Sequence, residues 1–346
     1  MTDFRTKDYY HMKKLYLLTW LVSMVTLFTA CNDEWTDELY TRLVSFKAPV
    51  NPQGVSDIYV RYKANGEGSY LLPLIVSGTQ KNDQDLEVKI SVDPDTLNTL
   101  NMEKYQYRTD LYYKLLGEGF YTFPEATCHI PAGEETATYR INFNFTGLDL
   151  VDKWVLPLNI EDTPSYTANK RKGWRKALLR LNLFNDYSGQ YQATAMNIYF
   201  GDETNNPMVV DYRTLQVVDE HAVFFYAGHT WEEDEKRGAY KVIATFGQGQ
   251  EDPANGNITG SLTLTAPNPD IAFEQIGEAT YEIQKKMDDV QPYLQHYYVI
   301  LRMQYKYTDV TSSPETPVTY RAQGTLTMER KINTLIPDED QAIQWD

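Results

Sequence analysis

Leu86, Val88, Ile90 and Val92 occupy alternate positions, with Glu87, Lys89 and Ser91 between them. That period of two is the signature of a strand with one face buried and one face wet. It recurs over residues 136–145, where Tyr139, Ile141, Phe143 and Phe145 fall on one face, and less regularly over 55–63. Two further stretches are continuously apolar and each carries a proline: 70–76 around Pro73, closed by Ser77-Gly78, and 154–160 around Pro157. A proline cannot donate to a ladder, so both stretches are expected at sheet edges. Residues 94–114 lack clean alternation and leave room for a short helix or a long loop.

The basic stretch 169–180 holds Lys170, Arg171, Lys172, Arg175, Lys176 and Arg180. Within it Ala177, Leu179 and Leu181 begin to alternate, which predicts the last strand of a first domain spanning 42–184. A boundary follows at Asn185-Asp186. Beyond it, strand patterns cover 191–200, 209–218, 222–226, 239–246, 258–265, 297–307 and 319–330. Turn chemistry lies between them at Gly247-Gln248-Gly249 and Asn255-Gly256. The expected class is all-β: an immunoglobulin-like β-sandwich, then a second antiparallel sandwich or barrel-like domain over 185–346.

The N-terminus follows a different pattern. Lys13-Lys14 precede an apolar run over 15–30 that ends in small residues before Cys31. A basic start, a short apolar core and a small-residue cut define a secretory leader, and the run is too short for a confident spanning helix. Residues 1–30 are therefore expected to be a signal peptide, and translation from Met12 would leave it intact. The sequence Leu27-Phe28-Thr29-Ala30-Cys31 resembles the bacterial lipobox, so Cys31 is the expected site of lipidation. Acyl chains on it would hold the protein at a membrane surface without spanning it. Residues 31–41, rich in Asp and Glu, form an acidic tether whose charges resemble the export signal of outer-membrane surface lipoproteins. The expected address is the outer membrane, lipid-anchored and facing outward.

The formal net charge is -16. The leader contributes four basic and two acidic groups, so the remainder is more acidic still. Such a surface repels phosphate backbones and argues against nucleic-acid partners. The chain has two cysteines. With Cys31 acylated, Cys128 is left as a buried thiol in a strand over Thr127–Ile130. No phosphate loop, dinucleotide fingerprint or zinc-protease motif occurs, so no cofactor and no metal is expected. Carboxylates are too abundant for any two to be chosen as a catalytic pair, and no catalytic residue is assigned.

Tyrosine is abundant, 27 residues against 13 Phe. It suits strands, and it also gives sugar-binding sites their combination of ring face and hydroxyl. Trp231, beside Gly228-His229-Thr230 and the acidic run 232–235, is a candidate ligand platform, and Tyr293 and Tyr297 near Pro292 are two more. Core packing is the plain alternative for each.

The first domain resembles the N-terminal domain of a Bacteroidetes family of surface lipoproteins from polysaccharide-utilisation loci. The resemblance is carried by Leu72-Pro73-Leu74-Ile75-Val76-Ser77-Gly78, by Leu115-Leu116-Gly117-Glu118-Gly119-Phe120-Tyr121-Thr122-Phe123-Pro124, by Ile130-Pro131-Ala132-Gly133 and by Trp154-Val155-Leu156-Pro157-Leu158-Asn159-Ile160. Residues 185–346 lack the Asp-x-Asp-x-Glu pattern of the catalytic barrels found in some relatives and look like the family's non-catalytic β-domain. The resemblance implies a non-enzymatic protein that binds glycan and works beside outer-membrane glycan import proteins. The competing expectations are a structural or adhesion subunit of pilus type, and an unrecognised glycoside hydrolase within 185–346. Asp95-Thr96-Leu97 also resembles the acceptor motif of Bacteroidetes O-glycosylation.

Overall fold

A computed structural model describes residues 42–78 and 80–345. The leader, Cys31 and the acidic tether lie outside the described residues. The described residues are nearly all β in character: two sheets come from residues 43–184 and one from 189–344.

The first two sheets face each other as a sandwich. One runs, in spatial order, Thr167–Ala168, Leu43–Phe46, Glu67–Ser77, Thr136–Asn144 and Tyr121–Thr122. The other runs Ser56–Arg61, Lys176–Phe184, Trp154–Ile160, Leu86–Val92 and Thr127–Ile130. Alternation dictates the packing. Leu72, Leu74, Tyr139, Ile141 and Phe143 from one sheet are buried against Val88, Leu156, Leu158, Leu179 and Leu181 from the other. Cys128 is a free, buried thiol in this core, and burial pushes its pKa up to about 11.

Both proline-containing strands are interior, contrary to the edge expectation. Trp154–Ile160 lies between Lys176–Phe184 and Leu86–Val92, and Glu67–Ser77 lies between Leu43–Phe46 and Thr136–Asn144. The reason is positional. The carbonyl of Pro157 accepts from Asp93, one residue past the end of its neighbouring strand. Pro73 accepts from Lys47, one residue past Phe46. In an antiparallel ladder a residue's N–H and C=O point to the same side. Each missing donor therefore faces the place where a partner strand gives out.

Residues 94–105 form a helix, Pro94–Tyr105, with Pro94 in its first turn and Asp93 as N-cap accepting from the Thr96 amide at 3.4 Å. Thr96 is buried, and its hydroxyl donates to Asp93 at 2.6 Å. The hydroxyl of this threonine, in the stretch resembling a glycan-acceptor motif, is engaged in the cap. The basic stretch is explained in the same way: Arg175 pairs with Asp162 at 2.9 Å and Lys176 with Asp93 at 2.7 Å.

The C-terminal sheet is a closed barrel. Eight strands follow one another around it: Gly189–Phe200, Tyr212–Asp219, Ala222–Tyr226, Lys241–Phe246, Ile258–Thr265, Ala279–Met287, Leu294–Asp309 and Val318–Asn333. Each pairs antiparallel with the next, and the last returns to the first from Gln192↔Thr327 to Phe200↔Tyr320. Closure removes the edges an open sheet would expose. Of these strands only Ala279–Met287 has no counterpart among the sequence-predicted ones, although Ala279, Tyr281 and Ile283 alternate inward. The barrel is filled by large rings, including Tyr191, Tyr240, Tyr281, Tyr305 and Tyr307.

The two domains are packed together. Phe224 and Tyr226, on the outer face of the barrel, join the core cluster of the sandwich, as does Val217 near the end of its strand. Arg237, buried in the loop after Ala222–Tyr226, donates to the carbonyls of Asp110 and Val151 in the first domain at 3.1 and 3.2 Å. At the other end Trp345 stacks on Tyr59, with centroids 4.1 Å apart and planes at 8°. The acidic run 232–235 lies in the loop that carries Arg237. Its carboxylates at 233–235 are exposed, but Arg237 and the Glu233 carbonyl, which accepts from Arg108 at 2.6 Å, dock it on the sandwich.

Gly228 opens that loop with φ 54, and a Cβ there would overlap the Tyr307 hydroxyl. Gly228→Ala is expected to lower stability by about 2–4 kcal/mol, combining left-handed backbone strain with overpacking. Gly119→Ala, with nothing within 4 Å of the added carbon, should stay within about 0.5 kcal/mol of the parent in urea denaturation. Equal losses in the two variants would contradict the packing described.

Candidate functional site

In the strand Leu294–Asp309 the odd positions point into the barrel: Val299, Leu301, Met303, Tyr305 and Tyr307 are all buried. The alternation carries back to Tyr297 at the mouth, where the barrel is no longer filled. Register places Tyr297 opposite Lys285 on one neighbouring strand and opposite Arg330 on the other. Directly opposed residues share a face, so Lys285, Tyr297 and Arg330 form one row across three strands.

This row lines a cavity of about 580 Å³ at the barrel mouth nearest the domain junction. Tyr187 and Tyr281 form a second wall. Tyr187 stacks on Phe246 with centroids 3.7 Å apart, and the Tyr281 hydroxyl donates to the Gly247 carbonyl at 2.8 Å. Gly260 faces Tyr281 in register, and a Cβ on it would overlap the ring, so glycine is what lets the ring lie across that strand. Burial, with Tyr281 close by, pushes the Tyr187 phenol up to about 12, and burial raises Tyr297 as well. Both phenols are therefore neutral hydroxyls near pH 7, able to donate and to accept.

The rim is contributed by both domains. Arg61 of the sandwich pairs with Asp186 at 2.7 Å and with Asp340 at 2.5 Å. Asn333, Thr334 and Glu339 of the C-terminal segment complete the lining. A concave site between domains, with aromatic walls and a few convergent polar groups, suits a small polar ligand that also offers an apolar face.

The structure separates the sequence-predicted candidates. Tyr297 lines the cavity. Tyr293 is exposed on the turn leading into the same strand; its carbonyl accepts from Thr334, but its ring is not part of the lining. Trp231 is on the loop between Ala222–Tyr226 and Lys241–Phe246, at the opposite end of the barrel. Its ring lies 5.4 Å from the Arg213 guanidinium and edge-on to Tyr212 at 6.0 Å, so it is a packed, half-exposed residue apart from the cavity. The sequence reading missed Tyr187, Tyr281, Lys285, Arg330 and Arg61. Alternation in 279–287 was the available signal for Tyr281 and Lys285; nothing local marks Arg61. Among the described residues, no group of His, Cys, Asp and Glu is arranged to hold a metal ion.

Beside the cavity, His296 points outward between two carboxylates. Its Nε2 is 2.9 Å from Asp288, and its Nδ1 contacts Glu329. Glu329 first and Asp288 second raise the imidazole above its ordinary 6.5. The Gln291 amide, His296 and the Val290 amide together hold Asp288 down to about 2. The turn that carries Tyr293 is tied down through this pair.

A sandwich packed on a closed barrel, with a cavity at their junction, defines a two-domain all-β protein. The chain belongs to a family of Bacteroides proteins built on this plan. Residues 35–164 match the family model of a domain of unknown function, DUF4973, and residues 175–327 match a family model for a C-terminal domain. A multidomain protein including DUF1735 from Bacteroides ovatus is 41% identical, with a TM-score of 0.77 over 87% of this chain and 99% of that one. A protein of unknown function from Bacteroides ovatus is 36% identical, with a TM-score of 0.76 over 86% and 95% of the two chains. A protein from Bacteroides thetaiotaomicron described as an auxiliary nutrient binding protein is 34% identical, with a TM-score of 0.76 over 86% and 100%. None of these three is described as an enzyme. No curated protein matches.

Because the folded pKa of His296 is raised, its contribution to the turn is full below pH 6.5 and fades as pH climbs through the higher folded value. An NMR titration should give a His296 midpoint above 6.5, with the exchange protection of the Val290 and Gln291 amides, relative to the intrinsic base-catalysed rate, falling over the same range. His296→Gln should abolish that dependence. A midpoint at or below 6.5 would rule out the clamp.

Proposed function

We propose that this chain is a lipid-anchored, non-catalytic glycan-binding protein. Cys31 carries the anchor at the outer face of the outer membrane, the sandwich sets the distance from the membrane, and the junction cavity holds a saccharide for neighbouring import proteins. The observation that carries the reading is the cavity itself. Tyr187 and Tyr297 supply ring faces, backed by the buried Tyr281, while Lys285, Gln295, Asn333 and Thr334 supply polar groups. Sugars present an apolar face of C–H groups and a polar edge of hydroxyls, and that combination matches such a lining.

Two points support the non-catalytic part. Asp186, one of the two carboxylates lining the cavity, is paired with Arg61 at 2.7 Å. The Bacteroides thetaiotaomicron relative, which this chain covers over 100% of its length, is described by binding rather than by turnover.

Titration calorimetry of the chain lacking residues 1–30 against a panel of plant and host polysaccharides tests this. At least one should bind, and Tyr297→Ala should weaken it by about tenfold, the equivalent of ~1.4 kcal/mol. Tyr297→Phe should keep most of the affinity, and Trp231→Ala should leave it unchanged. Loss of binding in Trp231→Ala with none in Tyr297→Ala would move the site to the other end of the barrel. For the anchor, Cys31→Ala should shift the protein from the membrane to the soluble fraction of native cells. Mass spectrometry of the parent should find acyl chains on Cys31; an unmodified N-terminus ahead of it would overturn this part.

A further inference from the structure

Arg330 is 7% exposed, yet no described carboxylate pairs with it directly. Its Nη2 donates to the backbone carbonyls of Asn185 and Ser188 at 3.0 and 2.7 Å. Its guanidinium otherwise lies against rings, 5.9 Å from the centroid of Phe184 and 5.6 Å from that of Trp345. Among the described residues it forms no ion pair. A buried cation held only by neutral groups keeps much of its desolvation cost, and burial does lower its pKa. Pinning the interdomain link needs only the two bonds from Nη2. Neither of them answers the charge or occupies the remaining N–H groups.

The surroundings are specific. Lys285 reaches the same row from the other side of Tyr297, with its Nζ 6.0 Å from the ring centroid and no carboxylate partner among the described residues. The third cation at the cavity, Arg61, is already shared by Asp186 and Asp340. The remaining carboxylate in the lining is Glu339, on the C-terminal segment. One aromatic face is thus flanked in register by two cations that form no direct ion pair among the described residues, Asp186 acting on Arg330 only from a distance while paired to Arg61, in a molecule whose overall charge is -16.

From this row we infer that the cavity selects an acidic saccharide, a uronic acid whose ring lies on Tyr297 and whose carboxylate is received by Arg330 and Lys285. A planar carboxylate matches the guanidinium fork, and a charge-assisted bond in a partly desolvated site is stronger than a neutral one. The acidic exterior does not forbid this, because charges beyond about 8 Å are screened at physiological salt. The inference rests on the glycan-binding reading above and narrows it to one class of sugar.

The test compares oligosaccharides of glucuronic and galacturonic acid with their carboxyl-reduced counterparts, which keep the linkages and lose the charge. Calorimetry with the chain lacking residues 1–30 should show at least one acid form bound about tenfold or more tighter than its reduced partner. The gap should narrow as salt rises. Lys285→Gln, at an exposed position, should shrink the gap without disturbing the fold, and Arg330→Lys should retain part of it while Arg330→Gln removes it. Circular dichroism and the denaturation midpoint identify any variant that is unfolded, in which case Lys285→Gln decides. Equal binding of acid and reduced forms, or binding confined to neutral glycans, overturns the charge selection and leaves the glycan reading standing. No binding to any saccharide overturns both.

Discussion

Everything in the C-terminal domain depends on one seam, the pairing of Gly189–Phe200 with Val318–Asn333. Without it, the meander would be an eight-stranded open sheet with two long unpaired edges and an apolar face too large to leave wet. With it, the inward alternation of every strand converges on a single interior. The seam is bent rather than straight: the register shifts between Gln192 and Ala195. Close to that irregularity Gly324, at φ 143, faces the Ala195 carbonyl where a side chain would collide. Local irregularities of this kind let a sheet curl tightly enough to close.

Closure also makes a mouth, and the first domain decides what becomes of it. Large tyrosines fill the middle of the barrel, and toward the junction the filling stops. Besides the barrel strands themselves, the resulting space is walled by three distant parts of the chain: Arg61 from the sandwich, Asp186 and Tyr187 from the link, and residues 333–343 from the end. The stack of Trp345 on Tyr59 and the bonds of Arg61 to both sides hold these parts in fixed relation. The site is a property of the assembled pair of domains rather than of the barrel alone.

How much of this was legible in the residues follows from the range of each interaction. Strand positions are local, and alternation alone marked Leu86–Val92, the stretch that became Thr136–Asn144, and most of the barrel. The prolines misled because whether Pro73 and Pro157 are tolerated depends on where neighbouring strands end, which is not a property of their own segments. Trp231 stood out as a large ring without an evident core, but Arg213 and Tyr212, beside it in space, lie 18 and 19 residues earlier in the chain. Tyr297 was marked, like Tyr293, only by its place near Pro292. Only register, setting it between Lys285 and Arg330, separates it from Tyr305 and Tyr307 deeper in the same strand.

The non-local seams have a kinetic side. Within the barrel, each strand finds its partner in the next segment of chain, apart from the closing pair, which joins Gln192 to Thr327. The sandwich has a comparable long-range pairing, where Ser56–Arg61 runs parallel to Lys176–Phe184. Closing such loops costs entropy before any contact compensates, so these pairings belong late in folding, after the local hairpins have formed. A nascent chain emerging from its first residue onward would complete the sandwich well before the barrel's last strand exists. For that interval Val217, Phe224 and Tyr226 would have a finished neighbour to rest on, and the sandwich would act as a template on which the half-made barrel curls.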